Sequence, residues 1–321
     1  MNFTYCIYDP CLHFREVEGL WQTTLGETFP VTRRVLWPRI AGRNTLEAGD
    51  GWVALQGKEV VGFVIAEIDR ASLVPLPHVC IQTLIVHPAF QRQGVGTELL
   101  RRLEQHAEES GFKTIVPGIG PWRFWPGVPD VAPAATAFFL KSGYVRNYDC
   151  VDLYIDLRTY SPGVQVDEYL GQQDIKVISV TQQNLGMVYD FLAREQPSWF
   201  KSMMMMVEAG DKDHVLVFTH GAECVGCIQT YTPVSRFRGT NLVWEARYGG
   251  QLGGFGAVLI AHAWRGKGLG AVLCHVAATH IKKWGASGCY IDWTSEKLAS
   301  QLYAKVGAPV CMSYGMYSKE A

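Results

Sequence analysis

Two short stretches carry residue types and a spacing from which chemistry could be built. Gln91-Arg92-Gln93-Gly94-Val95-Gly96 and Arg265-Gly266-Lys267-Gly268-Leu269-Gly270 each set two glycines, one residue apart, where an apolar β-branched run gives way to apolar residues at helical spacing. Such a loop can bend tightly and present bare backbone N–H groups. The first N–H groups of a helix lack intrahelical partners and lie at the positive end of its dipole, which suits a phosphate. Both stretches sit inside a longer repeat, Thr83 to Gly111 and Ala257 to Gly285, so one strand-loop-helix unit is used twice. A plain tight turn would account for a single Gly-x-Gly. Its recurrence in the same context, each time opening on Gln or Arg, favours a binding loop.

The neighbouring residues narrow the ligand. A dinucleotide fingerprint needs a third glycine three residues beyond the second, where Leu99 and Leu273 stand, and an ATP-type loop needs Gly-Lys-Ser/Thr, which neither copy has. The pattern resembles the GNAT superfamily of acyl-CoA-dependent acyltransferases, whose pyrophosphate loop reads Arg/Gln-x-x-Gly-x-Gly/Ala after a strand. Gln91, Gly94 and Gly96 match it, as do Arg265, Gly268 and Gly270.

The elements around the loops repeat as well. Helices expected over 13–25 and 31–40 precede GWVALQGKEVVGFVIAEIDR, which reads as two strands around a turn at Gln56-Gly57-Lys58. The loop-bearing strand and its helix follow, then a strand over 113–116. Next comes PGIGPWRFWPGVPDVAP, whose prolines exclude a regular helix or central strand and predict a structured surface loop. A helix over 134–142 and the closing strand YVRNYDCVDLYIDL end the first half. Residues 160–173 read as a linker. The second half repeats the order with IKVISV, TQQNLGMVYDFLAREQ, SWFKSMMMMVEAG and the hairpin HVLVFTHGAECVGCIQTY, then an unassigned insertion over 233–251. Its loop-bearing unit, the strand GCYIDW, the helix SEKLASQLYAKVG and a strand over 309–317 follow. The expected fold class is α/β (α+β), two tandem GNAT-like domains over 1–160 and 161–321, each a mixed twisted sheet flanked by helices. Tandem members such as mycothiol synthase have this architecture.

By resemblance, the loop-bearing strand of each half splays from its neighbour and admits the pantetheine arm of acetyl-CoA. The resemblance then assigns cofactor contacts to Ile85, Val86, the loop Gln91, Arg92, Gln93, Gly94, Val95, Gly96 and Thr97, and Phe139, and in the second copy to Leu259, Ile260, Arg265, Gly266, Lys267, Gly268, Leu269 and Gly270. Backbone N–H groups of the splayed strands would polarise the thioester carbonyl. The family commonly keeps a tyrosine in Ala-x-x-x-Tyr-x-x-x-Gly near the thioester sulfur. Ala299, Tyr303 and Gly307 are in that register, whereas the first half has Ala135, Phe139 and Gly143 and keeps a ring without a hydroxyl. Tyr303 would protonate the leaving thiolate. A base must also deprotonate the amine, and the candidates are Asp292, Glu245 and His262, with Glu67 and His87 in the first half. Trp122, Phe124 and Trp125 could either wall an acceptor pocket or plug an apolar end of the sheet.

Composition limits the partners. A formal net charge of −1 carries no footprint for nucleic acid or an anionic membrane. No run reaches the roughly 18 apolar residues of a membrane span, and the start lacks a signal-peptide pattern, so a cytoplasmic location is expected. Nine scattered cysteines suggest reduced thiols rather than a disulfide framework. The one Cys-x-x-Cys, Cys224 and Cys227, falls on a strand where positions three apart face opposite ways, so no metal is expected. The reading is an N-acetyltransferase acting on a small-molecule amine without a metal, with the C-terminal half expected to be the transferring one and the N-terminal half the second version, and a homodimer among the assemblies left open. A non-catalytic acyl-CoA sensor or scaffold is the alternative.

Overall fold

The continuous apolar runs of GWVALQ and EVVGFVIAE form strands, the second buried at every position after its first, and Gly57, at φ 62°, turns one into the other. The hairpin lies in the first of two units that the chain forms, Met1–Cys150 with Ser313–Ala321 and Val151–Met312. The computed structural model describes residues 2–42, 50–68, 78–162 and 165–320. Asp69 and Arg70, at the end of the expected hairpin, lie outside the described residues, as do residues 163 and 164 of the expected linker.

The first repeat runs β1 (Thr4–Ile7), α1 (Pro10–Leu25), α2 (Arg33–Ile40), β2 (Gly51–Gln56), β3 (Glu59–Glu67), β4 (Val79–Val86), α3 (Val95–Glu109), β5 (Thr114–Pro117), β6 (Val128–Pro129), α4 (Pro133–Lys141) and β7 (Val145–Asp156). The second runs α5 (Val166–Gln172), β8 (Ile175–Ser179), α6 (Leu185–Glu195), α7 (Phe200–Glu208), β9 (Val215–His220), β10 (Glu223–Tyr231), β11 (Leu252–Ile260), α8 (Leu269–Lys283), β12 (Gly288–Thr294), α9 (Glu296–Gln301) and β13 (Val310–Glu320). α1 starts three residues before its expected start because Asp9 caps it, accepting from Cys11 N at 2.8 Å, and Pro10 suits the first turn.

In the first unit the strand order is β1-β2-β3-β4-β5-β13, and in the second it is β7-β12-β11-β10-β9-β8. β4 and β5 are parallel, as are β11 and β12; the other registered pairs are antiparallel. The closing strands are therefore exchanged. β13 pairs Lys319 with Ile115 and Tyr314 with Pro129, and β7 pairs Asp156 with Gly288 and Val151 with Thr294. The expected boundary at 160/161 needs that amendment: the first unit takes its last strand from the end of the chain, and residues 151–160 fall in the second. Alternating apolar positions mark both strands but do not say which sheet receives them. The expected surface loop after β5 contributes β6, a two-residue edge strand.

A helix covers each central hairpin. Val95, Leu99, Leu100 and Leu103 of α3 are buried, and Gly62 beneath them has no room for a side chain: a Cβ there would lie 2.8 Å from Val95 Cγ1. Gly226 is the counterpart below Leu273 of α8, with Leu259 O 3.1 Å from a Cβ. Three elements differ from expectation. β1 is not foreseen because four residues give too short a pattern, and α5 occupies part of the linker. The expected helix 295–307 stops at Gln301 and continues as a 3-10 turn over Tyr303–Val306.

Candidate active site

Each loop-bearing strand leaves its parallel neighbour after a few pairs. β4 is in register with β5 only from Val79 to Ile81, and β11 with β12 only from Leu252 to Gly254. Beyond those points Gln82–Val86 and Phe255–Ile260 continue alone on that edge, and two wedges open. A bulge marks each departure, at Gln82 in β4 and in β11 at Ala257, whose φ is 49°.

The loops at the wedge mouths match in backbone and in side-chain use. Arg92 and Gly94 have φ of 59° and 85°, Gly266 and Gly268 of 77° and 88°. Left-handed residues between extended ones turn successive N–H groups toward one side, an arrangement that holds anions. Among the described residues, the N–H groups of 92–97 and of 266–270 donate to no carbonyl; the first bonds are Glu98 N to Gly94 O and Ala271 N to Gly268 O. Gln91 Nε2 donates to Val86 O at 3.0 Å, and Arg265 Nε donates to Ile260 O at 3.1 Å. The opening Gln or Arg thus ties the loop to the end of its strand, which locates Ile85, Val86, Leu259 and Ile260 beside it. Beneath the loops a Cβ on Gly96 would lie 3.6 Å from Phe138, and one on Gly270 3.3 Å from Leu302. Phe139, expected at the cofactor, is instead in the core against Tyr144 and Phe138, at centroid distances of 5.1 and 5.4 Å; helical phase turns Phe138, one position earlier, toward the loop.

The wedges differ on the face away from the covering helix. A Cβ on Gly253 would meet Ile281 of α8, and one on Gly254 would meet Asn241, so Asn241 lies on the opposite face. Its Nδ2 donates to Phe255 O at 2.9 Å and to Tyr290 O at 3.1 Å, one acceptor on each side of the split. The inserted segment therefore fills that face of the second wedge, with Leu242, Val243 and Trp244 buried around Asn241. Glu245 is also buried there, 3.5 Å from the Arg238 guanidinium, so its carboxylate is committed to an ion pair and is not set as a base.

In the first unit Gly62 faces α3, so Glu67, five residues on, faces the other way. Trp122 N and Gln82 Nε2 each donate to its Oε2 at 3.2 Å. The rings of the following loop turn inward: Phe124 lies 4.6 Å and Trp125 5.6 Å from Trp21 of α1, centroid to centroid. Phe124 and Trp125 therefore plug the end of the sheet, and Trp122, half-buried, stays beside Glu67.

Tyr303 is buried against Phe255, and burial, with the nearby Cys274 and Asp292 next, pushes its phenol far above the ordinary tyrosine range. Asp292 lies half-buried in β12. His87 Nδ1 accepts from Ala89 N at 3.2 Å and caps a turn, while His262 is exposed and its N donates to Glu195 Oε2 at 3.3 Å. Cys224 and Cys227 are buried thiols, Cys224 pushed up to about 12 by burial. No described group of His, Cys, Asp and Glu could hold a metal ion, and no described helix is long and apolar enough to cross a membrane. Sequence reasoning misses Gln82 and Asn241. Gln82 has a signal, a lone amide in the apolar strand VCIQTLIV; Asn241 sits in a segment without pattern.

The profile of the Acetyltransferase (GNAT) family matches residues 15–120. No curated protein matches. Among solved structures, a fungal multi-domain GH3 β-N-acetylglucosaminidase described as having a GCN5-related glucosamine N-acetyltransferase region superposes with a TM-score of 0.90 at 26% identity over 99% of this chain. The chain spans 38% of that protein's length. A GCN5-related N-acetyltransferase from Sphaerobacter thermophilus gives a TM-score of 0.72 at 14% identity, over 99% of this chain and 95% of that one. A tandem GNAT protein from the clavulanic acid biosynthesis pathway gives 0.68 at 14%, over 99% and 98%.

Proposed function

Because the chain belongs to the GNAT superfamily and carries two of its units in tandem, we propose that it transfers the acetyl group of acetyl-CoA directly to the amine of a small molecule, an amino sugar of the glucosamine class. The observation that carries the reading is the pair of glycine loops whose N–H groups are left without acceptors at the mouths of two strand wedges. The fungal region of 26% identity supports the acceptor class.

The loops would hold the diphosphate of CoA, with residues 92–97 and 266–270 contributing backbone donors. The open edge of β4 beyond Ile81 supplies N–H groups toward a thioester carbonyl. The amine nitrogen attacks the carbonyl carbon as it loses a proton, the C–S bond breaks, and the sulfur takes a proton to leave as the thiol. Holding both reactants in one wedge supplies much of the acceleration.

The first unit is the transferring one in this reading, because Asn241 and its buried neighbours Leu242, Val243, Trp244 and Glu245 occupy the corresponding face of the second wedge. The second unit then binds CoA without turnover, which keeps the sensor reading alive for that half alone. Tyr303→Phe discriminates. Its expected effect on kcat is below threefold, read by thiol release from acetyl-CoA with D-glucosamine. A fall of about 10² or more, the usual range for a lost acid-base group, would move the chemistry to the second unit with Tyr303 and Asp292.

A further inference from the structure

The helix α5 reads VDEYLGQ, with Val166, Tyr169 and Leu170 spaced to lie along one face, and those three pack against the core of the second unit. From that face Tyr169 reaches the second glycine loop. Its hydroxyl donates to Lys267 O at 2.7 Å, and a Cβ on Gly268 would lie 3.7 Å from its Cε2. Burial raises the Tyr169 phenol above the ordinary tyrosine range, so the oxygen keeps the proton that it donates.

That bond fixes the direction of one peptide. A trans peptide is planar and carries its C=O and N–H on opposite edges, so holding Lys267 O toward α5 aims Gly268 N–H the other way. The peptide turns about ψ of Lys267 and φ of Gly268, and a glycine, here at φ 88°, tolerates φ of either sign. Without the clamp it is free to turn over. A carbonyl would then stand where an N–H stood, and a phosphate drawn to the N–H would be repelled by the oxygen.

The first loop shares only one of the two ties. Gln91 and Arg265 each bind their loop to the end of its strand, through Val86 O and Ile260 O. Gln93 O, the counterpart of Lys267 O, accepts no backbone hydrogen bond among the described residues, and the first repeat has no element that matches α5. The second clamp therefore belongs to the second unit alone. We propose that Tyr169 is a positioning residue for the second loop: by holding Lys267 O it keeps Gly268 N–H turned to the diphosphate of CoA before the ligand arrives. This rests on the reading of that loop as a CoA site. Ordering that a loose loop undergoes on binding is here done in the folded chain, which raises affinity.

The test uses the whole chain carrying Thr97→Asp, which weakens the first loop and leaves the second to be read by calorimetric titration of CoA. Tyr169→Phe keeps the ring and removes the hydroxyl; it should raise the CoA Kd about three- to tenfold, the range for one lost hydrogen bond. In a chain carrying Ala271→Asp instead, where the first loop is read, Tyr169→Phe should leave the Kd unchanged. Amide NMR follows the peptide itself. The Gly268 resonance should broaden or shift with Tyr169→Phe while that of Gly94 stays in place. Melting temperature checks that each variant folds, and a packing role alone would move that temperature without the Gly268 amide or the Kd. An unchanged Kd in the Thr97→Asp chain, or an unchanged Gly268 amide, would overturn the proposal. A folded Thr97→Asp chain that binds no CoA refutes the diphosphate reading of the second loop, and the Gly268 amide then decides the clamp by itself.

Discussion

Deleting Ser313–Ala321 is expected to unfold the first unit, although the deletion lies more than two hundred residues along the chain from the glycine loop that it disables. The segment supplies the strand that pairs with β5 and β6, and it buries Tyr314, Met316 and Tyr317 to 1% exposure or less. Burying such a side chain contributes roughly 1.5–3 kcal/mol, so about 5–9 kcal/mol is lost from a total of about 5–15. Lys319 would also leave Glu104, its ion-pair partner at 2.9 Å. Residues 1–160 expressed alone should fail to fold for the same reason. Thermal unfolding followed by circular dichroism checks this, and a melting temperature within a few degrees of the intact chain would show that the exchanged strand is dispensable.

Thr97→Asp should separate stability from binding with opposite signs. Thr97 is exposed in the first turn of α3, where a carboxylate meets the helix dipole and adds about 0.3–1 kcal/mol. The same carboxylate sits among the N–H groups assigned to the CoA diphosphate. Affinity should fall about tenfold or more, roughly 1.4 kcal/mol, while the melting temperature holds or rises. Ala271→Asp, at the matching place in α8, repeats the test for the second unit. The acetyl-CoA KM for transfer to D-glucosamine should rise about tenfold with the first substitution and stay unchanged with the second. The reverse pattern would put transfer in the second unit.

The contrast between what the sequence discloses and what it withholds follows from the range of the interactions. Gly94 and Gly268 announce themselves because left-handed backbone demands glycine locally, and the repeat makes the demand visible twice. The paired strands β2 and β3 are legible from two short apolar runs on either side of Gly57. The exchange of β7 and β13 is not, since the same apolar alternation serves either sheet and only long-range register decides. Phe139 and Phe138 illustrate a finer limit: the motif register names one ring, and helical phase presents its neighbour to the loop. Glu245 reads as an available base because its partner, Arg238, lies in the same unpatterned insertion. Tyr169 matters through the carbonyl that it holds, Lys267 O, and a contact between residues so far apart in the chain can be seen only once both are in place.

The central claim is that the bare amides of the glycine loops hold the diphosphate of coenzyme A, and calorimetric titration of CoA into the intact chain tests it most directly. The account predicts saturable binding that is weakened by Thr97→Asp and is not displaced by ATP or NAD. No binding at millimolar CoA, or binding that Thr97→Asp and Ala271→Asp together leave unchanged, would contradict it.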